Sequence, residues 1–220
     1  MELSELKNTW LAYEKKLDRT WKLNLQLLRT TNLDKARSKI QRLTWIVGTT
    51  LAFYLLSSLF LLFFSIQHIT IIHMAAAGII LTVWSLAIAI GAMQQLALIN
   101  QLDYAAPVTT LQKKLEVLRL IVLKYFRLAI WILPFYMAFQ IVSAEVLFGY
   151  DIIKQAKENW LIWQAGLSIA FIPLTIWLHQ KLNPKNMHKS WMKKVLKGNG
   201  SQITEAIEFI REIEKFEKEA

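Results

Sequence analysis

The chain has 220 residues, 55% of them hydrophobic, with nine tryptophans and a mean hydropathy of +0.32, and its apolar residues come in runs too long for a soluble globular domain. It carries 26 Lys and Arg against 16 Asp and Glu, a formal net charge of +10, and no cysteine, which removes disulfides, thiolate metal sites and cysteine nucleophiles from consideration. With no basic-aromatic motif of a known nucleic-acid reader, the positive charge points to membrane orientation and anionic lipid headgroups, and no nucleic acid is expected as a partner.

The opening forty residues are charged and helical in pattern, so no signal peptide is expected ahead of the first apolar run. Leu3, Leu6, Trp10, Tyr13 and Leu17 recur at steps of three and four, which lines them along one side of a helix. A strict seven-residue seam would continue through Thr20, Asn24 and Leu27. The apolar line continues instead through Trp21, Leu25 and Leu28, the drift of an ordinary helix rather than of a supercoil. Such an amphipathic helix can pack within its own chain, lie on the membrane surface or bind a partner. In the last case Trp10, Tyr13, Leu17 and Trp21 are the candidate anchors, since buried aromatics dominate such contacts. Thr31 and Asn32, followed by Leu33 and Asp34, predict a break and a fresh N-cap before residues 35–42 lead into the membrane.

Between Arg42 and Asp103 there is no Lys, Arg, Asp or Glu. A spanning helix needs roughly 20 apolar residues, and four segments reach that length: residues 43–64, about 70–99, 128–149 and 160–179. Ala106-Pro107 predicts the start of a helix whose Leu111, Leu115, Leu118 and Val122 share a face and which runs into the third span. Spans two and three would then form a hairpin projecting beyond the bilayer, a dock for the N-terminal helix. Pro134 and Pro173 each remove a donor inside a span and favour a kink. Ala87 with Gly91, and Gly166 with Ala170, have the small-xxx-small spacing that lets helices approach closely.

After the fourth span, residues 181–197 hold six lysines and no acid, interleaved with Met187, Trp191, Met192, Val195 and Leu196. This is the composition of a stretch lying on an anionic leaflet, with Lys185, Lys189, Lys193 and Lys194 as candidate membrane-surface residues. Gly198-Asn199-Gly200 predicts a break and Ser201 a cap. In the final helix Ile203, Ala206, Ile210, Ile213 and Phe216 share a side, with glutamates over most of the remainder. That acidic face suits either a basic partner or a solvated surface on a helix packed against its own protein.

Basic residues are dense before span one and between spans two and three and sparse in the other two connections, so both termini and the middle connection are expected in the cytoplasm. The expected architecture is all-α: an integral membrane four-helix bundle, N-in and C-in, with cytoplasmic helices in residues 1–42, a membrane domain in 43–180 extended by a hairpin at about 103–127, and a cytoplasmic tail in 181–220.

Searching the spans for chemistry returns little. Glu145 falls near the outer headgroups, where snorkelling to water or a proton-coupled role are the alternatives. His68 and His73 are five residues apart, on different faces of a helix, so no metal pair is expected. No phosphate loop, nucleophile elbow, zinc helix or mid-span carboxylate pair occurs, and neither cofactor nor enzymatic activity is expected. Gln94, Gln95 and Gln140 are the polar groups that a small transporter or channel-like subunit would use.

The run Leu6-Lys7-x-x-Trp10-x-x-Tyr13-x-x-Lys16-Leu17, then Leu23-Asn24-x-x-Leu27-Leu28-Arg29 and Asn32-Leu33-Asp34-Lys35-x-Arg37-Ser38-Lys39, resembles the opening of small multi-span membrane proteins of Bacteroidota, some of which look like companions of sigma factors. The likeness covers about the first forty residues. It implies a bacterial inner (plasma) membrane location and an anti-sigma-like tether, the N-terminal helix holding a sigma factor at the membrane. The chain lacks the His/Cys zinc motif of some anti-sigma proteins and has four spans where their usual plan has one. The function expected is a membrane-embedded regulatory or scaffold protein binding a cytoplasmic partner, with the transporter or channel-like subunit as the alternative.

Overall fold

A computed structural model describes residues 3–186, 189, 192 and 199–218. Helix α1 runs unbroken from Leu3 to Gln67, 65 residues, and is about 98 Å long at the helical rise. The break expected at Thr31 and Asn32 is absent. Thr30 Oγ1 donates back to the Gln26 and Leu27 carbonyls, a bond compatible with a continuing helix. Asn32 is buried and donates from Nδ2 to Glu212 Oε2 at 3.1 Å on the last helix. A local capping signal thus gives way to a partner distant in sequence.

A turn leads to α2 (Ile72–Asn100). Pro107 then fixes the backbone ahead of α3 (Val108–Ala129). The third span is not one helix: residues Ile130–Phe135 form a 3-10 stretch holding Pro134, and α4 (Tyr136–Phe148) follows. Proline lacks the N–H for an α-helical bond and crowds the carbonyl four residues back, which accounts for the local change of helix type. Gly149 ends α4 with φ +66°, its N–H on the Glu145 carbonyl, the left-handed stop that glycine adopts without strain. A short α5 (Ile152–Gln155) is capped by Asp151. Helix α6 (Glu158–Lys181) carries Pro173 without interruption. A 3-10 turn (Pro184–Asn186) and α7 (Asn199–Lys218) complete the chain. Asn199 and Gly200 are already helical, so the break expected there is absent at those two residues and Ser201 is not the cap.

The described residues contain helices and turns and no strand. Four helical segments are long and apolar enough to cross a membrane: the apolar part of α1, α2, Val108–Phe148 and α6. This is the build of a membrane protein. The four spans do not close into a ring. Helix α1 lies along α2, α2 along α3 and α4, and α6 is held mainly by the 3-10 stretch. Thr175 is the single fully buried residue of α6.

Two larger cores hold the row together, and a small third cluster joins Leu123 of α3 to Leu182 and Met192. At one end Ile40, Leu43 and Val47 of α1 meet Leu111, Leu115 and Leu118 of α3 and the isoleucines of α7. Helix α7 packs on both α1 and α3 and so takes the face of the hairpin where the N-terminal helix was expected to dock. Three contacts set its direction: Lys39 pairs with Glu205, Lys35 lies over Phe209, and Asn32 bonds Glu212. Positions falling on α1 match positions rising on α7, so the two are antiparallel. At the other end Leu61 and Phe64 of α1, Met74 and Leu81 of α2, and Ile141 and Val142 of α4 form the second core.

Glycines mark where α2 touches its neighbours most closely. A Cβ on Gly78 would lie 2.2 Å from Ser65 Oγ, and one on Gly91 would lie 2.2 Å from the Tyr125 ring. The expected close approach at Gly91 is present. At Gly166 a Cβ would meet nothing within 4 Å, so the Gly166 and Ala170 pair is not used for packing between the described helices; both residues face outward.

Candidate functional site

Three places on the molecule bring chemically distinctive side chains together. The first is the free part of α1. Trp10, Tyr13 and Leu17 are 74%, 68% and 74% exposed, on a helix continuous with a membrane span. Of the four anchors expected from the sequence, Trp21 differs. It is half-buried, and its ring stacks on Phe216 of α7 with centroids 5.3 Å apart. Leu25 and Leu28 are also half-buried, whereas Thr20, Asn24 and Leu27 are exposed. The ordinary-helix line therefore turns toward the body, and the stripe from Trp10 to Leu17 extends beyond it.

The second place is the opposite end, where two histidines meet two carboxylates. His68 Nδ1 donates to the Phe64 carbonyl at 2.9 Å, leaving Nε2 toward Glu145 Oε1 at 3.5 Å. His73 Nε2 sits 2.9 and 3.0 Å from the two Asp151 oxygens. Burial raises the Asp151 carboxyl. The hydrogen bond from His73, the backbone N–H groups of Lys154 and Ile153, and the attraction of the His73 ring together bring it below its ordinary value of 3.8. Glu145 thus faces an imidazole of the α1–α2 turn. These pairs join positions 77 and 78 residues apart, which helical spacing does not reveal. Among the described residues, no group of three or more such ligands is placed to hold a metal.

The third place is a groove of about 770 Å³ between one face of α1 and the end of α2. Its polar end is made by Arg37, Gln41, Asn100 and Tyr104, with Ile40 and Ile99 among them; the rest of the lining, Thr44, Trp45, Gly48, Thr49 and Ala52, is mainly apolar and runs on along α1. Burial raises the Tyr104 hydroxyl above its ordinary value, and the nearby Arg37 guanidinium partly opposes that shift. Periodicity alone did not single out this groove, because the α1 face that lines it mixes polar and apolar residues.

Compared with known protein families, curated proteins and solved structures, the chain matches none. Residue roles therefore rest on this geometry alone. Lys185 lies in the 3-10 turn, and both it and Lys189 are exposed; Lys193 and Lys194 fall outside the described residues. The glutamines stand at different levels of the membrane domain. Gln94 Oε1 accepts from Tyr125 Oη at 2.8 Å, and Gln95 is buried beside it in sequence. Phe139, next to Gln140, touches Trp84 of α2, roughly 16 Å along the helix from Gln95.

Proposed function

We propose that the chain is a membrane-embedded docking protein, N-in and C-in, whose projecting α1 arm binds a soluble cytoplasmic partner, with a sigma factor as the specific partner that the N-terminal resemblance implies. The observation that carries this reading is the exposed Trp10, Tyr13 and Leu17 stripe on a helix that continues unbroken into a segment long and apolar enough to cross a membrane. Aromatic hot spots cost about 2 kcal/mol or more when truncated at a protein interface, and no other part of the described chain covers this stripe. The lopsided distribution of Lys and Arg supports the orientation, and the same resemblance supports a bacterial inner membrane. Exposed Lys185 and Lys189 suit a cytoplasmic leaflet rich in anionic lipid. The reading invokes no catalytic step.

The test is a pull-down of the detergent-solubilised full chain from native cytosol, with captured proteins identified by mass spectrometry. Replacing Trp10 and Leu17 together with Ala is expected to lower capture by about tenfold or more, with membrane insertion and helicity unchanged. Capture that survives the double substitution sinks the arm as the docking surface. An empty pull-down, together with vesicle flux lost when Gln94, Gln95 and Gln140 become Leu, would replace this reading with transport.

A further inference from the structure

The groove between α1 and the end of α2 crosses a chemical boundary. Arg42 is the last charged residue before the charge-free run that ends at Asp103, and Trp45, 73% exposed, is the interfacial aromatic just beyond it. Arg37 therefore lies on the water side of the hydrocarbon surface and Ala52 roughly 15 Å inside it, counting ten residues from Arg42 at the helical rise. An occupant that fills both ends has a polar head and an apolar chain.

The polar end selects the sign of that head. Lys39 is engaged by Glu205 and Lys35 lies over Phe209, whereas no described carboxylate pairs with Arg37. Gln41, Asn100 and Tyr104 add uncharged donors, and no acidic side chain lines the groove. A phosphate finds several donors there; a quaternary ammonium finds no counter-charge. The apolar end selects the tail. Gly48 sits in mid-helix, where glycine weakens a helix, and a Cβ there would meet nothing within 4 Å. No contact within the described chain accounts for this glycine. Its effect is to deepen the groove where a hydrocarbon chain would lie, entering sideways from the bilayer past the exposed Trp45.

We propose that this groove holds one molecule of an anionic glycerophospholipid, its phosphate against Arg37, Gln41 and Tyr104 and one acyl chain along Trp45, Gly48 and Ala52. The occupant spans the junction between the first membrane helix and the arm. The inference rests on the membrane-spanning character of α1 and α2 and is independent of what the arm binds.

The experiment is native mass spectrometry of the delipidated full chain in detergent, titrated with phosphatidylglycerol, phosphatidylcholine or inorganic phosphate. One phosphatidylglycerol is expected to bind about tenfold more tightly than phosphatidylcholine. Arg37→Gln should weaken phosphatidylglycerol, the lipid with net negative charge, more than phosphatidylcholine and so abolish that preference, and Gly48→Leu should weaken both lipids by filling the apolar end. Lys22→Gln, on the arm where Lys22 pairs with Asp18, should change neither. Because Gly48→Leu risks disturbing the fold, a second measurement compares tryptophan quenching by brominated phosphatidylglycerol in the natural chain and in Trp45→Phe; the difference isolates Trp45 and should exceed that seen with brominated phosphatidylcholine. Equal affinity for the two lipids, an unchanged preference in Arg37→Gln, or displacement of the lipid by inorganic phosphate would overturn the proposal. So would loss of a dimer in Gly48→Leu, which would assign the groove to a second copy of the chain.

Discussion

Single residues set the tightest constraints on this row of helices, and three glycines give contrasting expectations for the same chemical change. Gly91 has the Tyr125 ring where a Cβ would stand, so Gly91→Ala must displace a ring held by its own hydrogen bond to Gln94. Overpacking of this kind costs about 1–3 kcal/mol. Gly48→Ala and Gly166→Ala add a methyl to open space and gain helix propensity of up to about 1 kcal/mol. Thermal unfolding in detergent should therefore rank Gly91→Ala below the natural chain and the other two at or above it; a Gly91→Ala protein as stable as the natural one would place Tyr125 elsewhere. At the opposite end Asp151 gives a pH signature. Its folded value lies below 3.8, so the carboxylate is the form the fold favours. Its stabilisation is complete above that value and is lost as pH falls through the lower folded one. Asp151→Asn should be less stable than the natural chain at neutral pH, and the gap should narrow as the pH drops below about 4. A gap that stays constant into acid would show that charge plays no part there.

Helix α7 shows how an element can be read correctly while its place in the fold stays open. Its apolar positions Ile203, Ala206, Ile210 and Ile213 are fully buried, as their spacing predicts, and each buried isoleucine contributes about 1.5–3 kcal/mol relative to exposure. Its acidic positions are partly spent inside the chain: Glu205 on Lys39, Glu212 on Asn32 and Glu214 on Gln112. The sequence shows that both α7 and the N-terminal helix are amphipathic, but periodicity carries no information on which of two such helices fills a given dock. Similarly, the spans are legible from length and hydropathy, and the buried face of α3 from its leucines. The unbroken α1 is not, because the side chain that overrules the cap signal at Asn32 finds its partner 180 residues away. The groove and the histidine pairs are equally invisible before folding, since each joins residues from separate helices or turns. The energetic ranking at this interface is testable. Asn32→Ala removes a buried bond to a charged acceptor and should cost about 1–3 kcal/mol, whereas Lys39→Ala removes a half-exposed ion pair worth about 1 kcal/mol or less. Equal effects of the two on α7 protection in hydrogen exchange would contradict the burial of Asn32.

At the scale of the whole molecule, charge and packing are segregated along the row. The end that carries the arm, Arg37, α3 and α7 holds most of the basic residues and the larger core, while the other end is tied by His68 with Glu145 and His73 with Asp151. Helix α6 hangs at the edge through few contacts: Tyr136 Oη donates to Gln164, and Trp131 Nε1 donates to His179 Nδ1 at 3.2 Å. An element so little buried is held in place by the bilayer as much as by the protein, because its exposed apolar surface is stable only in hydrocarbon. The proposed orientation then makes a definite prediction, and the absence of cysteine makes it simple to test. Single cysteines in place of Lys22 and Glu217 should be protected from a membrane-impermeant maleimide in intact cells. Those in place of Ile69 and Lys157, in the two short connections at the histidine end, should react. The inverse pattern would turn the protein over and move the arm out of reach of any cytoplasmic partner. Reaction at Glu217 together with Ile69 and Lys157 would mean that α6, the least buried of the four, does not cross the membrane at all.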